Sequence, residues 1–285
     1  MKAAWQALTR RSGWLGLVGA VLLLVLVLLA IFGPVLDLPD PTRTNLRARM
    51  VGPTLSWAGL GAHPLGTDQL GRDILSRIVA GSRVTLMVAG AAVVLGGILG
   101  TLLGLVSGFF GGWVDRILMR LVDIQLALPL MLLALMVVAA LGPSLQNLIA
   151  VLALVSWVRY ARIVRGQVLA VREREFVQSA RAIGASSTRI ILHHILPNVL
   201  TPALVVATLE LARVIVLEAG LSFLGLGIQP PNPSWGRMLA DGRTYISSAW
   251  WIITFPGLAL MLTVLSVNLL GDWLRDFFDP RLGTR

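Results

Sequence analysis

Four groups of residues in this 285-residue chain have the types and spacing to do chemistry. Ser222, in Gly220-Leu221-Ser222-Phe223, could act as a nucleophile if a histidine took its proton. The pair His193-His194 lies at the other end of a long apolar run, so a bilayer would hold it on the opposite side and no serine–histidine pair can assemble. His63, Asp68 and Asp73 are metal-ligand types, but the other two histidines sit in that opposite loop. The chain has no cysteine, so the ligand set is incomplete and no metal is expected. Glu210, Arg213 and Glu218 lie inside the apolar run itself, where charge is expensive and faces a partner or water. Glu210 and Arg213 are one helical turn apart and could simply pair, or they could line a transport path and meet the charged ends of a peptide-like solute.

The fourth group is a polar island, Glu175-Phe176-Val177-Gln178-Ser179-Ala180-Arg181-Ala182-Ile183-Gly184-Ala185-Ser186-Ser187, continuing to His193-His194-Ile195-Leu196-Pro197-Asn198. Phe176, Ala180 and Ile183 recur at helical spacing, which predicts a short amphipathic helix. Small neighbours such as Ser179 and Ala182 would let a partner approach its backbone. Gly184 can end that helix in a left-handed turn, Ser186 or Ser187 can cap a second, and Asn198 can cap the apolar segment after Pro197. Helix, glycine hinge and helix make a docking element, and none of the residues from Glu175 to Ala185 performs chemistry in it. The only lysine is Lys2, so no Gly-x-x-x-x-Gly-Lys-Ser/Thr loop exists. If ATP drives this protein, another chain binds it.

The elements that must position these groups are membrane spans. Hydrophobic residues make up 56% of the chain and charged ones 13%, with a mean hydropathy of +0.82. That composition is an all-α polytopic membrane protein. The net charge of +10 sits beside apolar runs rather than along a soluble face, which favours membrane borders over nucleic acid. Lys2, Arg10 and Arg11 precede the first span, which ends the segment 1–36. Its apolar stretch is too long for a cleaved signal peptide, so it is expected to stay as an anchor. An external loop, 37–83, follows, in which Thr67 or Asp68 could cap a helix with Leu70, Ile74 and Ile78 on one face. Further spans are expected at about 84–108, 117–141 (bent at Pro129), 145–163, 199–221 and 250–271, inside a transmembrane domain 84–272. Gly96, Gly100, Gly104, Gly108 and Gly112 recur every four residues, a stripe for close helix packing.

The arginines at 159, 162, 165, 172, 174, 181 and 189 crowd the region leading into and through the loop 164–198, which the positive-inside rule places in the cytoplasm. Six spans then leave both termini cytoplasmic, with a short tail, 273–285. Trp14, Trp113, Trp157, Trp250, Trp251 and Trp273 fall near span ends, as an interfacial belt requires.

The spacing Gln178-Ser179-Ala180, Gly184, His194, Leu196-Pro197 resembles the cytoplasmic coupling loop of binding-protein-dependent ABC-transporter permeases, with Gln178, Ser179 and His194 departing from the usual residues. Glu175-Phe176-Val177, the His-Ile-Leu-Pro-Asn ending, Glu218 to Gly227, Pro233 to Gly236 and Asn268 to Asp272 resemble the dipeptide/oligopeptide/nickel branch, specifically its second permease subunit. The resemblance implies a type I ABC importer permease fold in a bacterial or archaeal cytoplasmic membrane. It also implies half of a translocation pathway, a second homologous permease, two ATP-binding subunits that use ATP and magnesium, and an external solute-binding protein. Peptides are the implied solute, with nickel or another small solute as the alternative. Glu175, Phe176, Gln178, Ser179, Ala180, Gly184, Ala185 and Pro197 would then contact the ATP-binding subunit. An ion-coupled carrier would need no such loop, and no inverted repeat relates the halves.

Overall fold

A computed structural model describes residues 13–54 and 63–278. Lys2, Arg10, Arg11 and the end of the tail lie outside the described residues. The described chain is helical, in the order α1 Gly13–Phe32, α2 Ile74–Phe110, α3 Gly112–Ala127, α4 Leu130–Leu141, α5 Leu145–Arg172, α6 Glu175–Ala182, α7 Ser187–Ile190, α8 Leu196–Phe223, α9 Trp235–Gly242 and α10 Trp251–Phe278. Five helical stretches are long and apolar enough to cross a membrane, and a bent pair, α3 with α4, would make six.

That bend is sharper than a proline kink. Leu128, before Pro129, takes the extended conformation (φ −89°, ψ 137°), and α3 and α4 meet at 93°. The stretch 117–141 is therefore two helices, and α4, at about 18 Å, is too short to cross alone. α3 is tied instead to α5. Gln125 donates to the Leu154 carbonyl at 2.8 Å and accepts from the Trp157 indole at 3.0 Å. Asp115 pairs with Arg165 and Asp123 with Arg162. Those arginines, and Arg159, stand on α5, which runs on to Arg172 rather than ending near 163.

The stripe of glycines brings α2 against α5 backbone to backbone. A Cβ at Gly96 would lie 2.8 Å from the Ala153 carbonyl, at Gly104 2.7 Å from that of Ala161 and at Gly108 2.7 Å from Val168 Cβ. At Gly100 it would collide with the Trp157 carbonyl. Gly112 is outside this seam. It starts α3 at φ +58° with open space around it.

Above the seam, at the end shared by the starts of α2 and α10, the external loops form a small ordered cap. The helix cap there is Asp73, which accepts from the Ser76 amide at 2.8 Å, not Thr67 or Asp68. Thr67 bridges the loop to Ala48 and Val51, and Asp68 accepts from the amides of Leu70 and Arg72, so Leu70 belongs to a turn rather than to α2. Ser234 caps α9, the Trp235 indole donates to the Ile78 carbonyl at 3.0 Å, and Trp251 donates to that of Thr67 at 3.1 Å. Trp157 and Trp251 thus serve packing, while Trp14, Trp113 and Trp250 remain exposed. At the opposite end, Leu105, Val164, Val168, Val171, Ile195 and Val199 form an inner cluster that joins α2, α5 and α8 to the polar island.

Candidate coupling surface and translocation path

The island folds as two short helices, as the spacing predicts. Gly184 has φ +82°, and its amide donates to the Arg181 carbonyl while that of Ala185 donates to Ala180, a paired closure of the α6 C-terminus that asks for a left-handed residue. Ser186 caps α7 through the Arg189 amide. Residues Ile191–Ile195 then widen into a π turn, with the Leu196 amide reaching back to the Ile191 carbonyl. Pro197 offers no amide and its ring crowds the preceding turn, so a wider turn lets the helix continue into α8. Asn198 is consequently inside a continuous helix, donating to the His194 carbonyl at 2.7 Å, and caps nothing.

The faces of α6 differ from the expected arrangement. Ala180 is 7% exposed and Val177 is fully buried, both within the inner cluster, while Ile183 is 85% exposed and Phe176 stands half-exposed beside His194. The outward face is Glu175, Gln178, Ser179 and Ala182, continued by Ile183, at spacings of three and four. Ala180 keys the helix into its own chain, whereas Ala182 and Ile183 stand on its open side. The reason is rotational: the sequence marks an apolar stripe, but only tertiary packing decides which edge of it turns inward. Gln178 also has a local use. Its amide donates to the Arg172 carbonyl at 3.2 Å, satisfying the end of α5, a bond that a carboxylate could not donate. Gly184 and Pro197 are exposed and Ala185 half-buried.

The charged residues of α8 separate into two sites. Glu218 is fully buried and accepts from Ser222 at 2.7 Å and from Thr85 of α2 at 3.3 Å, with no cation against it among the described residues. It ties α2 to the outer end of α8 and is not brought to Glu210. Glu210, equally buried, faces Arg213 Nη1 at 3.5 Å and, from α5, Arg159 Nη1 at 3.1 Å. Arg159 was legible only as one more cytoplasmic arginine. Its mate lies 51 positions on in the sequence, and no helical spacing connects them. The arrangement has a buried carboxylate holding two guanidiniums that reach the surface, a charged patch set midway along two apolar helices. Among the described residues no three metal-ligating side chains converge.

Over residues 100–284 the chain matches the family described as binding-protein-dependent transport system inner membrane component. It is 46% identical to the dipeptide transport system permease protein of Alkalihalophilus pseudofirmus, over 94% of this chain and 86% of that one. It is 42% identical to the di/tripeptide transport system permease protein of Pseudomonas aeruginosa, over 99% and 92%. Among solved structures it resembles an inward-facing MetNI methionine ABC transporter, with a TM-score of 0.57 at 20% identity over 71% of this chain and 97% of that one. That likeness carries the fold, an ABC importer permease.

Proposed function

The chain belongs to the family of binding-protein-dependent transport system inner membrane components, and from that premise we propose that it forms half of the translocation pathway of an ATP-driven importer of di- and oligopeptides. It is a multi-pass, non-enzymatic permease subunit. Its partners in this reading are a second homologous permease, two ATP-binding subunits on the cytoplasmic side and an external binding protein that delivers the solute. The relatives named for dipeptide and di/tripeptide transport support the choice of solute.

The observation that carries the coupling role is the two-sidedness of α6. Its outer face, Glu175, Gln178, Ser179, Ala182 and Ile183, is open, and its inner face, Val177 and Ala180, is packed with the inner ends of α2, α5 and α8. A movement of an ATP-binding subunit docked on the first would be passed through the second, because close-packed side chains transmit displacement rather than absorb it. No residue of α6 does chemistry in this scheme. Glu210 and Arg213 line the path, with Arg159 added to them, while Glu218 holds α2 to α8. The α2–α5 seam is a fixed wall, since glycine-mediated backbone contact leaves no slack. The domain limits follow the same reading: an anchor through residue 36, an external segment to 83, and the transmembrane body from 84 to 272.

ATP-dependent uptake tests the proposal. The chain, reconstituted in vesicles with its partner permease, ATP-binding subunits and binding protein, should accumulate a labelled dipeptide only when ATP is supplied on the α6 side. Accumulation of nickel ion and not of peptide would move the solute assignment to metal. Accumulation driven by an ion gradient without ATP would refute the importer reading.

A further inference from the structure

Arg159 and Arg213 share a single carboxylate oxygen. Glu210 Oε1 lies 3.1 Å from Arg159 Nη1 and 3.5 Å from Arg213 Nη1, and no other ion pair or hydrogen bond engages either guanidinium among the described residues. Each guanidinium carries five N–H donors, so most of both forks is unused. The carboxylate is 2% exposed, whereas the two arginine side chains are 49% and 31% exposed. The patch therefore presents positive charge outward and keeps its negative charge inside. Its surplus is one positive charge.

Its depth makes that surplus costly. At 1.5 Å per residue, Arg159 lies about 21 Å from the outer end of α5 and Glu210 about 21 Å from the inner end of α8, both well within a hydrocarbon layer of about 30 Å. A half-exposed guanidinium there cannot face lipid cheaply, so this face meets water or protein. The arginine fork pairs a carboxylate through two parallel hydrogen bonds, whereas Glu210 Oε1 faces only one Nη1 of each arginine as an ion pair and makes no hydrogen bond, so both forks are left free to do so. An ammonium group would be repelled by the same charge.

We propose that Arg159 and Arg213, positioned by Glu210, receive the C-terminal carboxylate of a peptide as it crosses the membrane. This rests on the peptide-importer reading above and assigns the site within it. Glu210 is a positioning residue and the two arginines make the contact. The surplus charge selects the carboxylate end, so a peptide passes with that end held and its side chains unread.

The test uses the complete importer in vesicles, with its binding protein and ATP, and compares one dipeptide with a free carboxylate to the same dipeptide amidated. Uptake is normalised to complex recovered by co-purification. Arg213→Gln and Arg159→Gln are each expected to lower uptake of the free-carboxylate peptide about ten- to hundredfold, the loss of a charge-assisted pair, and to shrink its advantage over the amide. Arg213→Lys should restore part of the rate without the full discrimination. Because one binding protein serves every variant, its own preference cancels from the comparison. Equal uptake of both peptides by wild type and the glutamine variants would overturn the carboxylate site alone. Loss of the second permease from either variant, with uptake intact in what remains assembled, would assign the arginines to the subunit interface and also overturn it. Absence of ATP-dependent peptide uptake by the wild type would remove the importer reading and the site with it.

Discussion

In the outer cap, Asp68 holds Arg72 at 2.7 Å and Arg77 at 3.6 Å, Asp241 takes Arg237 at 3.2 Å and Arg72 at 3.7 Å, and Asp73 takes His63 at 3.0 Å. Midway along α5 and α8, Glu210 alone stands against Arg159 and Arg213. In this ion-paired set three carboxylates stand with three guanidiniums, and Arg72, Arg77, Asp68 and Asp73 are buried, with only Arg237 and Asp241 at its edge reaching solvent. In the membrane the count is unequal and the cations reach the surface. The contrast separates two uses of charge. A matched, buried set fixes architecture, because each ion loses water only to gain its partner. An unmatched set with exposed cations still has binding capacity left, and that is where a solute can be met.

The largest effect expected from this contrast is in the cap. Asp68→Ala strands Arg77 in a buried site, leaves Arg72 only its 3.7 Å contact with Asp241, and also removes the acceptor for two loop amides, at a cost of about 3–5 kcal/mol. Thermal unfolding of the purified complex should show a strongly lowered transition, and a transition near the wild-type one would break the claim that the cap is structural. Glu210→Gln should cost less, about 1–2 kcal/mol, since the guanidiniums it leaves unpaired are half-exposed and screened by solvent. Its uptake should nevertheless fall, because the forks lose their common support. Arg213→Gln should leave stability within about 0.5 kcal/mol, as it removes a surplus charge, while uptake of a free-carboxylate peptide drops. If Arg213→Gln destabilised the protein as much as Asp68→Ala, the two regions would not differ in kind.

Much of this was readable from residue spacing. Gly184 was marked by the end of the α6 pattern, and Gly96 to Gly108 by a four-residue period, because both depend only on local backbone geometry. What failed to show depended on orientation between elements. Ala180 looked like part of an outward stripe and is buried, since nothing in α6 itself says which side the inner cluster occupies. Arg159 looked like a loop cation and is the partner of Glu210, a pairing set by how α5 lies on α8. The 93° break at Pro129 and the π turn before Pro197 express a known local conflict, but the size of each response comes from the helices on either side.

The claim that most of this depends on is that α6 meets an ATP-binding subunit through its open face. The chain contains no cysteine, so single cysteines can be placed without background. Ala182→Cys and Ala180→Cys, each carrying a short thiol-linked photoreactive group in the assembled complex, differ only in the face they occupy. Capture of an ATP-binding subunit from position 182, altered in yield by ATP and nearly absent from position 180, is the predicted result. Capture from 180 instead, or none from 182 in a complex that hydrolyses ATP and imports peptide, would contradict the account.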